Sequence, residues 1–234
     1  MSLSRTREKK LLELAKSLGV TFNNINYLNQ ALTHTSYANE SKENIVHNER
    51  LEFLGDAVLE LGSSTYLFRH FPDMPEGELT KTRASIVCSA TLAKLAARIG
   101  LGKYLLLGHG EELSGGRTRQ TNLEDVFEAV IGAIYLDQGW ETALEYVVRQ
   151  LASEFDGVAK GAILKDYKTI LQEQVQQKNG EHASYELVDA FGPDHDKRFT
   201  FRVRAFGKIL GEGTGRSKKE AEQQAAKIAL EKLA

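Results

Sequence analysis

Glu49, Glu52 and Asp56 stand at helical spacing in HNERLEFLGDAVLEL, residues 47–61. On a helix turning 100° per residue they fall within an arc of roughly 60°. Leu51, Leu54, Ala57, Val58 and Leu61 cover the adjoining apolar face. Like charges three and four residues apart repel by about 0.2–0.5 kcal/mol per pair, so helix stability would not select them. Pressing them against a core costs far more unless a cation neutralises them. Taken alone, they fit the solvated face of an amphipathic helix equally well. A second acidic pair, Asp125 and Glu128, shares a face in TNLEDVFEAVIGAIYLD, residues 121–137. The rest of that segment is apolar nearly all round, which marks a buried helix. Buried carboxylates need either basic partners in a structural network or a metal ion. Oxygen ligands without Cys or His suit a hard cation, Mg²⁺ or Mn²⁺, rather than zinc. His34, His47, His70, His109, His182 and His195 stand apart, with no zinc-ligand spacing.

These carboxylates need a helical scaffold, and residues 5–155 supply one. Periodic apolar spacing predicts helices in KKLLELAKSL, INYLNQALTH, the Glu49 segment to about His70, and LTKTRASIVCSATLAKLAARIG. It predicts two more in the Asp125 segment and ETALEYVVRQLASEF. Breaks fall at 71–77, which holds Pro72 and Pro75, at 100–102 and at 114–121. No alternating strand pattern interrupts this part, so it reads as one all-α domain.

Residues 156–165, DGVAKGAILK, have no strong pattern and read as a linker to a second domain at 166–234. There the period changes. DYKTILQEQVQQ is helical, ASYELVDAF extended and GPDHDK a turn. KRFTFRVRAF alternates, with Phe199, Phe201, Val203 and Ala205 on one face and Thr200, Arg202 and Arg204 on the other. KILGEGTG is a third strand and SKKEAEQQAAKIALEKL a closing helix, giving α-β-β-β-α. Ser217 and Glu220 fit a capping box, which puts Lys218 and Lys219 in the first turn. The helix dipole disfavours cations there by about 0.3–1 kcal/mol each. A phosphate bound at the helix terminus would reverse that sign; side chains splayed into solvent would make the cost small.

Three sets of residues carry a family resemblance. NERLEFLGDAVLEL closely resembles the signature helix of the ribonuclease III family, and DVFEAVIGAIYLD its second acidic helix. QALTHTSYANE and SGGRTRQ also fit. The tail, above all GEGTGRSKKEAEQQAAKIAL, resembles the double-stranded RNA-binding domain. The resemblance implies an all-α endonuclease domain over 1–155 and a small α+β RNA-binding domain over 166–234. It implies cleavage of double-stranded RNA by divalent-metal-assisted hydrolysis, leaving 5′-phosphate and 3′-hydroxyl ends with short 3′ overhangs. The expected substrates are ribosomal, messenger and other structured RNA precursors. The family's metal ligands map to Glu52, Asp56, Asp125 and Glu128, with Mg²⁺ expected and Mn²⁺ able to substitute. Glu49 and Glu76 match two further acids serving the metal and its water, Asp56 and Glu128 counting among the catalytic residues as well. Glu78, beside Glu76, leaves that register open, and Glu60 lies outside the family set. In the tail the resemblance assigns RNA contacts to Thr169, Gln172, Glu173 and Gln176, to Pro193 and His195 in the turn, and to Lys218 and Lys219. Such a domain reads duplex shape across the minor groove more than base sequence. Staggered cuts need two active sites, so a homodimer is expected, with Phe53 packing into the partner. From its position on the helix alone, Phe53 reads as core. A non-catalytic duplex binder on a retained nuclease scaffold is the alternative, and the presence of all six acids gives it no support. An acidic helical oligomerisation module leaves the tail unexplained.

Bulk composition is silent on the partner. The net charge is −2; residues 166–234 hold 12 Lys+Arg against 11 Asp+Glu, and residues 1–165 hold 18 against 21. Cys88 is the single cysteine, so no disulfide can form within the chain, which suits a reducing compartment. The N-terminal residues lack a signal-peptide pattern and no long apolar run follows, so a cytoplasmic protein with no membrane partner and no small-molecule cofactor is expected.

Overall fold

The computed structural model describes residues 3–159, 167–179, 182–193 and 197–233. It divides into two compact units, Met1–Lys160 and Gly161–Ala234.

The first unit is helical. α1 (Arg5–Leu18) starts where the Ser4 hydroxyl accepts the Arg7 N–H at 3.2 Å. It ends at Gly19, whose φ of 66° is the left-handed turn that favours glycine. α2 (Asn26–Ala31), α3 (Thr35–Glu40), α4 (Glu49–His70), α5 (Glu76–Ile86) and α6 (Ser89–Arg98) follow. After a 3₁₀ turn at Leu101–Tyr104 come α7 (His109–Leu113), a second 3₁₀ turn at Gly116–Thr118, α8 (Gln120–Gln150) and α9 (Ala152–Ala159). One helix expected across residues 79–100 is two. Cys88 is extended (φ −73°, ψ 154°), and the break lets α5 pack on α4 while α6 packs on α8. The apolar period runs through both pieces, so periodicity alone could not reveal the change of direction. α8 itself bends at Gly139, where φ is 84°. α9 continues to Ala159, so 156–159 of the expected linker are helical, and 160–165 lie outside the described residues. Among the described residues no helix is long and apolar enough to cross a membrane.

The core is the crossing of α4 and α8. Leu51, Val58, Leu59 and Leu67 of α4 are buried, as are Val126, Phe127, Ala129, Val130, Ile131, Ala133 and Ile134 of α8. The helices touch backbone to backbone. A Cβ at Gly55 would overlap the Glu128 carbonyl oxygen, and one at Gly132 would overlap the Leu51 carbonyl oxygen. Glycine at both positions brings the two acidic segments together.

In the second unit, α10 (Tyr167–Asn179) and α11 (Lys218–Leu233) cover one face of an antiparallel sheet in the order β1 (Ser184–Phe191), β2 (Arg198–Ala205), β3 (Lys208–Gly215). The register pairs Tyr185 with Val203 and Phe201 with Gly213. Phe201, Val203 and Ala205 face inward as the alternation requires, joining Leu171, Val175, Leu210, Ala225, Ala226 and Ala229 in the core. Thr200, Arg202 and Arg204 point away, the arginines pairing across strands with Glu212 and Glu186.

Candidate active site

Glu49 and Glu52 occupy the first turn of α4, where the helix dipole favours negative charge and offsets part of their repulsion. Asp56 lies one turn on. Across the Gly55–Gly132 contact, α8 presents Asp125 and Glu128. Burial raises the carboxyl pKa of Glu128 to about 8, assisted by the charges of Asp56, Glu124, Glu52 and Asp125. Glu52 is raised to about 6 by burial, then by Asp125 and Glu49; Asp125 is raised to about 6 by burial, then by Glu124 and Glu49. Asp56 moves upward through burial and Glu60, with Arg83 opposing. Glu49, Glu52, Asp56, Asp125 and Glu128 thus form one electrostatic unit, and among the described residues Arg83 is the one side-chain cation that acts on any of their shifted carboxyls.

The fit to a divalent cation follows from that unit. Half-buried Glu52, Asp125 and Glu128 and exposed Asp56 oppose one another's ionisation, a conflict that a bound hard cation would relieve. Among the described residues no three His, Cys, Asp or Glu side chains already converge as a cage.

Glu124 was not singled out in the sequence. It acts electrostatically on all four of Glu52, Asp56, Asp125 and Glu128, while Ser89 donates a hydrogen bond to its carboxylate and Gln120 donates to Ser89 at 2.9 Å. Its place beside Asp125 was the available signal. Glu76 is different. It is exposed at the start of α5, accepts a hydrogen bond from Thr80 at 3.1 Å, and perturbs none of the shifted carboxyls. Within one chain the structure does not bring Glu76 to the cluster. Glu60, expected to be solvated, is exposed and lies 3.9 Å from Arg83.

The two short motifs frame the site. His34 N–H donates to the Leu106 carbonyl at 3.0 Å and Leu106 N–H to Leu32 at 2.8 Å, so residues 32–34 bridge to 106. In SGGRTRQ, Arg119 pairs with Glu111 at 2.7 Å, and Asn122 donates to Glu111 at 2.7 Å and to the Gly116 carbonyl at 3.0 Å. That network anchors the turn from which α8 starts, one turn before Asp125.

Phe53 is 80 % exposed, which overturns its reading as core. Ala57, Leu61 and Phe68 are exposed on the same side of α4. The core contacts of α4 lie on the opposite stripe, so period alone could not tell which face met α8.

The sequence profile of the family described as Ribonuclease-III-like matches residues 24–155, and that of the Double-stranded RNA binding motif matches residues 167–233. The chain belongs to the ribonuclease III family. Relatives agree over nearly the full length. Ribonuclease 3 of Pelotomaculum thermopropionicum is 51% identical over 96% of this chain and 94% of its own. Ribonuclease 3 of Geobacillus thermodenitrificans is 51% identical over 97% of this chain and 92% of its own. The nuclease domain of ribonuclease III from Campylobacter jejuni, whose solved structure concerns structural flexibility in a region involved in dimer formation, is 41% identical. It covers 62% of this chain and 97% of its own, with a TM-score of 0.57. Endonucleolytic cleavage of double-stranded RNA is the activity that goes with the ribonuclease III family.

In the RNA-binding motif, Ser217 accepts the Glu220 N–H at 3.2 Å, while Glu220 reaches past Ser217 to the Arg216 N–H at 2.8 Å. Lys218 and Lys219 are exposed, with no ion pair among the described residues. Thr169 is half-buried; Glu173, Gln176 and Pro193 are exposed; His195 lies outside the described residues. Gln172 does not present a free amide. Its oxygen accepts the Ala183 N–H at 3.0 Å and its nitrogen meets His182 Nδ1 at 2.8 Å, which ties α10 to the start of β1.

Proposed function

We propose that the chain hydrolyses double-stranded RNA at Glu52, Asp56, Asp125 and Glu128 with a divalent cation, Mg²⁺ or Mn²⁺ in its place. The observation that carries the reading is the unit of mutually raised carboxyls across the α4–α8 contact. These four would hold the ion, Glu49 lying at their edge. The bound cation supplies Lewis-acid activation of water and shields charge on the attacking and departing oxygens. The chain's own part is to align the acids through the glycine contact and to bring duplex RNA through Lys218, Lys219 and the exposed face of α10. Hydrolysis of this class leaves a 5′-phosphate and a 3′-hydroxyl, and paired sites on a duplex give short 3′ overhangs. Ribosomal and messenger RNA precursors rich in duplex are the natural substrates. Long duplex RNA incubated with Mg²⁺ should be cut, and chelator should stop it; metal-independent cutting would sink the reading.

Paired sites need a second chain, and the Phe53–Ala57–Leu61–Phe68 stripe is the surface suited to it. Phe53→Glu should convert a homodimer to a monomer, because it places a charge in a desolvated aromatic contact. Light scattering at micromolar concentration is the measurement. A monomeric parent that still makes staggered double-strand cuts would refute the arrangement.

Lys218→Ala with Lys219→Ala should weaken duplex binding alike for all sequences. It should reduce the slope of log affinity against log salt by about 1–2, since each phosphate contact releases roughly one counterion. An unchanged slope would leave the lysines as solvated side chains.

A further inference from the structure

Glu124 stands one helical turn before Glu128 on α8 and one turn after Gln120, so the three share a face, and Asp125 is its neighbour in sequence. Like charges four residues apart destabilise a helix, so the stability of α8 alone would disfavour Glu124 beside Glu128. The carboxylate is nevertheless held in place from another element. Ser89, the first residue of α6, donates a hydrogen bond to Glu124 Oε2, and Gln120 Nε2 donates in turn to the Ser89 hydroxyl at 2.9 Å. α6 packs on α8 and has neither an acidic residue in its own first turn nor a side-chain cap at Cys88. Glu124 thus brings negative charge to a helix start, where the dipole favours it.

That tether fixes one oxygen. Among the described residues no group donates to the other, Oε1. Glu124 is also close enough to Glu52, Asp56, Asp125 and Glu128 to oppose the ionisation of each, and of the described acids outside those four it alone acts on all of them. Its anchor lies on α6, whereas the four acids meet across the α4–α8 contact. A carboxylate anchored on one side and open on the other, beside the ligands rather than among them, suits the water shell of a hydrated ion. Mg²⁺ gives up its waters reluctantly and keeps several of them in protein sites. Groups that bond to a metal's ligands and waters orient them and strengthen binding.

We propose that Glu124 is a positioning residue for the divalent cation, accepting hydrogen bonds from the waters the ion retains, with Ser89 and Gln120 fixing its carboxylate. The proposal rests on the metal reading above and extends the site to α6, from which none of the four ligands comes.

The test is calorimetric titration of the full chain, without RNA, with Mg²⁺ and with Ca²⁺. Glu124→Gln keeps an acceptor for Ser89 and loses the charge, and it should weaken Mg²⁺ about tenfold, the scale on which such outer partners act. Ca²⁺ should be weakened less, because it takes more of its oxygens directly from protein. Glu128→Gln, which removes a ligand, should abolish saturation with both ions. In chelator Glu124→Gln should melt no lower than the parent, since a like charge has left α8. Ser89→Ala should weaken Mg²⁺ by a smaller factor than Glu124→Gln, and Ser89→Thr, which keeps the hydroxyl, should bind as the parent does.

If the parent shows no saturable Mg²⁺ binding at millimolar concentration, the metal reading falls and this proposal with it. If the parent saturates, Glu128→Gln does not, and Glu124→Gln matches the parent, the metal reading stands and the proposal alone is overturned. A loss in Glu124→Gln as complete as in Glu128→Gln would make Glu124 a direct ligand, and equal losses for Mg²⁺ and Ca²⁺ would leave only its bulk charge; either overturns the water-shell role. So does a loss of affinity that comes with a lower melting temperature in chelator, which would make the role structural. Parent-like affinity in Ser89→Ala overturns the tether.

Discussion

Glu128→Gln should abolish cleavage while leaving duplex binding intact, and it should make the metal-free protein more stable at alkaline pH. The first half follows from the ligand assignment: the amide keeps the shape of the carboxylate and loses its charge, and rates should fall at least about a thousandfold. The second half separates this mutant from one that merely disturbs the fold. Glu128 has a pKa of about 8 in the folded chain against 4.5 for a free side chain. Between those values the folded state holds a proton that the unfolded chain has released, so stability falls as pH rises. The favourable term is complete below about pH 4.5 and gone above about pH 8. The substituted amide has no proton to lose. In chelator, the melting temperature of the parent should therefore drop across that window, and the variant's should drop less. Mg²⁺ should restore the parent and do little for the variant. Near-normal turnover at low Mg²⁺ would refute the ligand role; parallel melting curves in chelator would refute the buried charge.

The chemistry of the site was legible because it is local. Glu49, Glu52 and Asp56 share a helix edge by spacing alone, and so do Asp125 and Glu128. The apolar surround of the second pair announced its burial, and Val126 through Ile134 are buried as expected apart from half-buried Glu128. The α-β-β-β-α order of the second unit was equally readable, because strict alternation at 198–205 admits a single inward face. What escaped was whatever depends on direction or on a second element. The break at Cys88 leaves the apolar period untouched. The exposure of Phe53 depends on which stripe of α4 meets α8, and Ala57 and Leu61 belong to the exposed stripe although helical spacing placed them on the apolar face. The bonds of Gln172 to Ala183 and His182 could not be read from spacing, because those partners are brought to it only by the turn back into β1. Glu76 shows the same limit: its spacing matches a family position, yet one chain does not carry it to the other acids.

Gly55→Ala should destabilise the nuclease unit by about 3 kcal/mol or more, and the residual folded enzyme should cut poorly. One methyl group is a small addition, and an alanine in an open helix is stabilising by about 1 kcal/mol relative to glycine. At Gly55 the sign reverses because the atom in the way is the Glu128 carbonyl oxygen. It is backbone within a buried helix and cannot rotate aside, so α4 and α8 must separate along their whole contact. The separation reaches the chemistry directly, since Glu52 and Asp56 flank Gly55 and Glu128 carries the obstructing carbonyl. A shift of about 1 Å between catalytic groups typically lowers rate about a hundredfold. Gly77→Ala supplies the control: it is also helical, in α5, and a Cβ there meets nothing within 4 Å. Denaturant unfolding of the two variants beside the parent gives the comparison. Gly77→Ala should be neutral or slightly stabilising, and Gly55→Ala should lose most of the margin. If Gly55→Ala unfolds within about 0.5 kcal/mol of the parent, the helices do not meet at that carbonyl, and the alignment of the two acidic pairs must come from elsewhere.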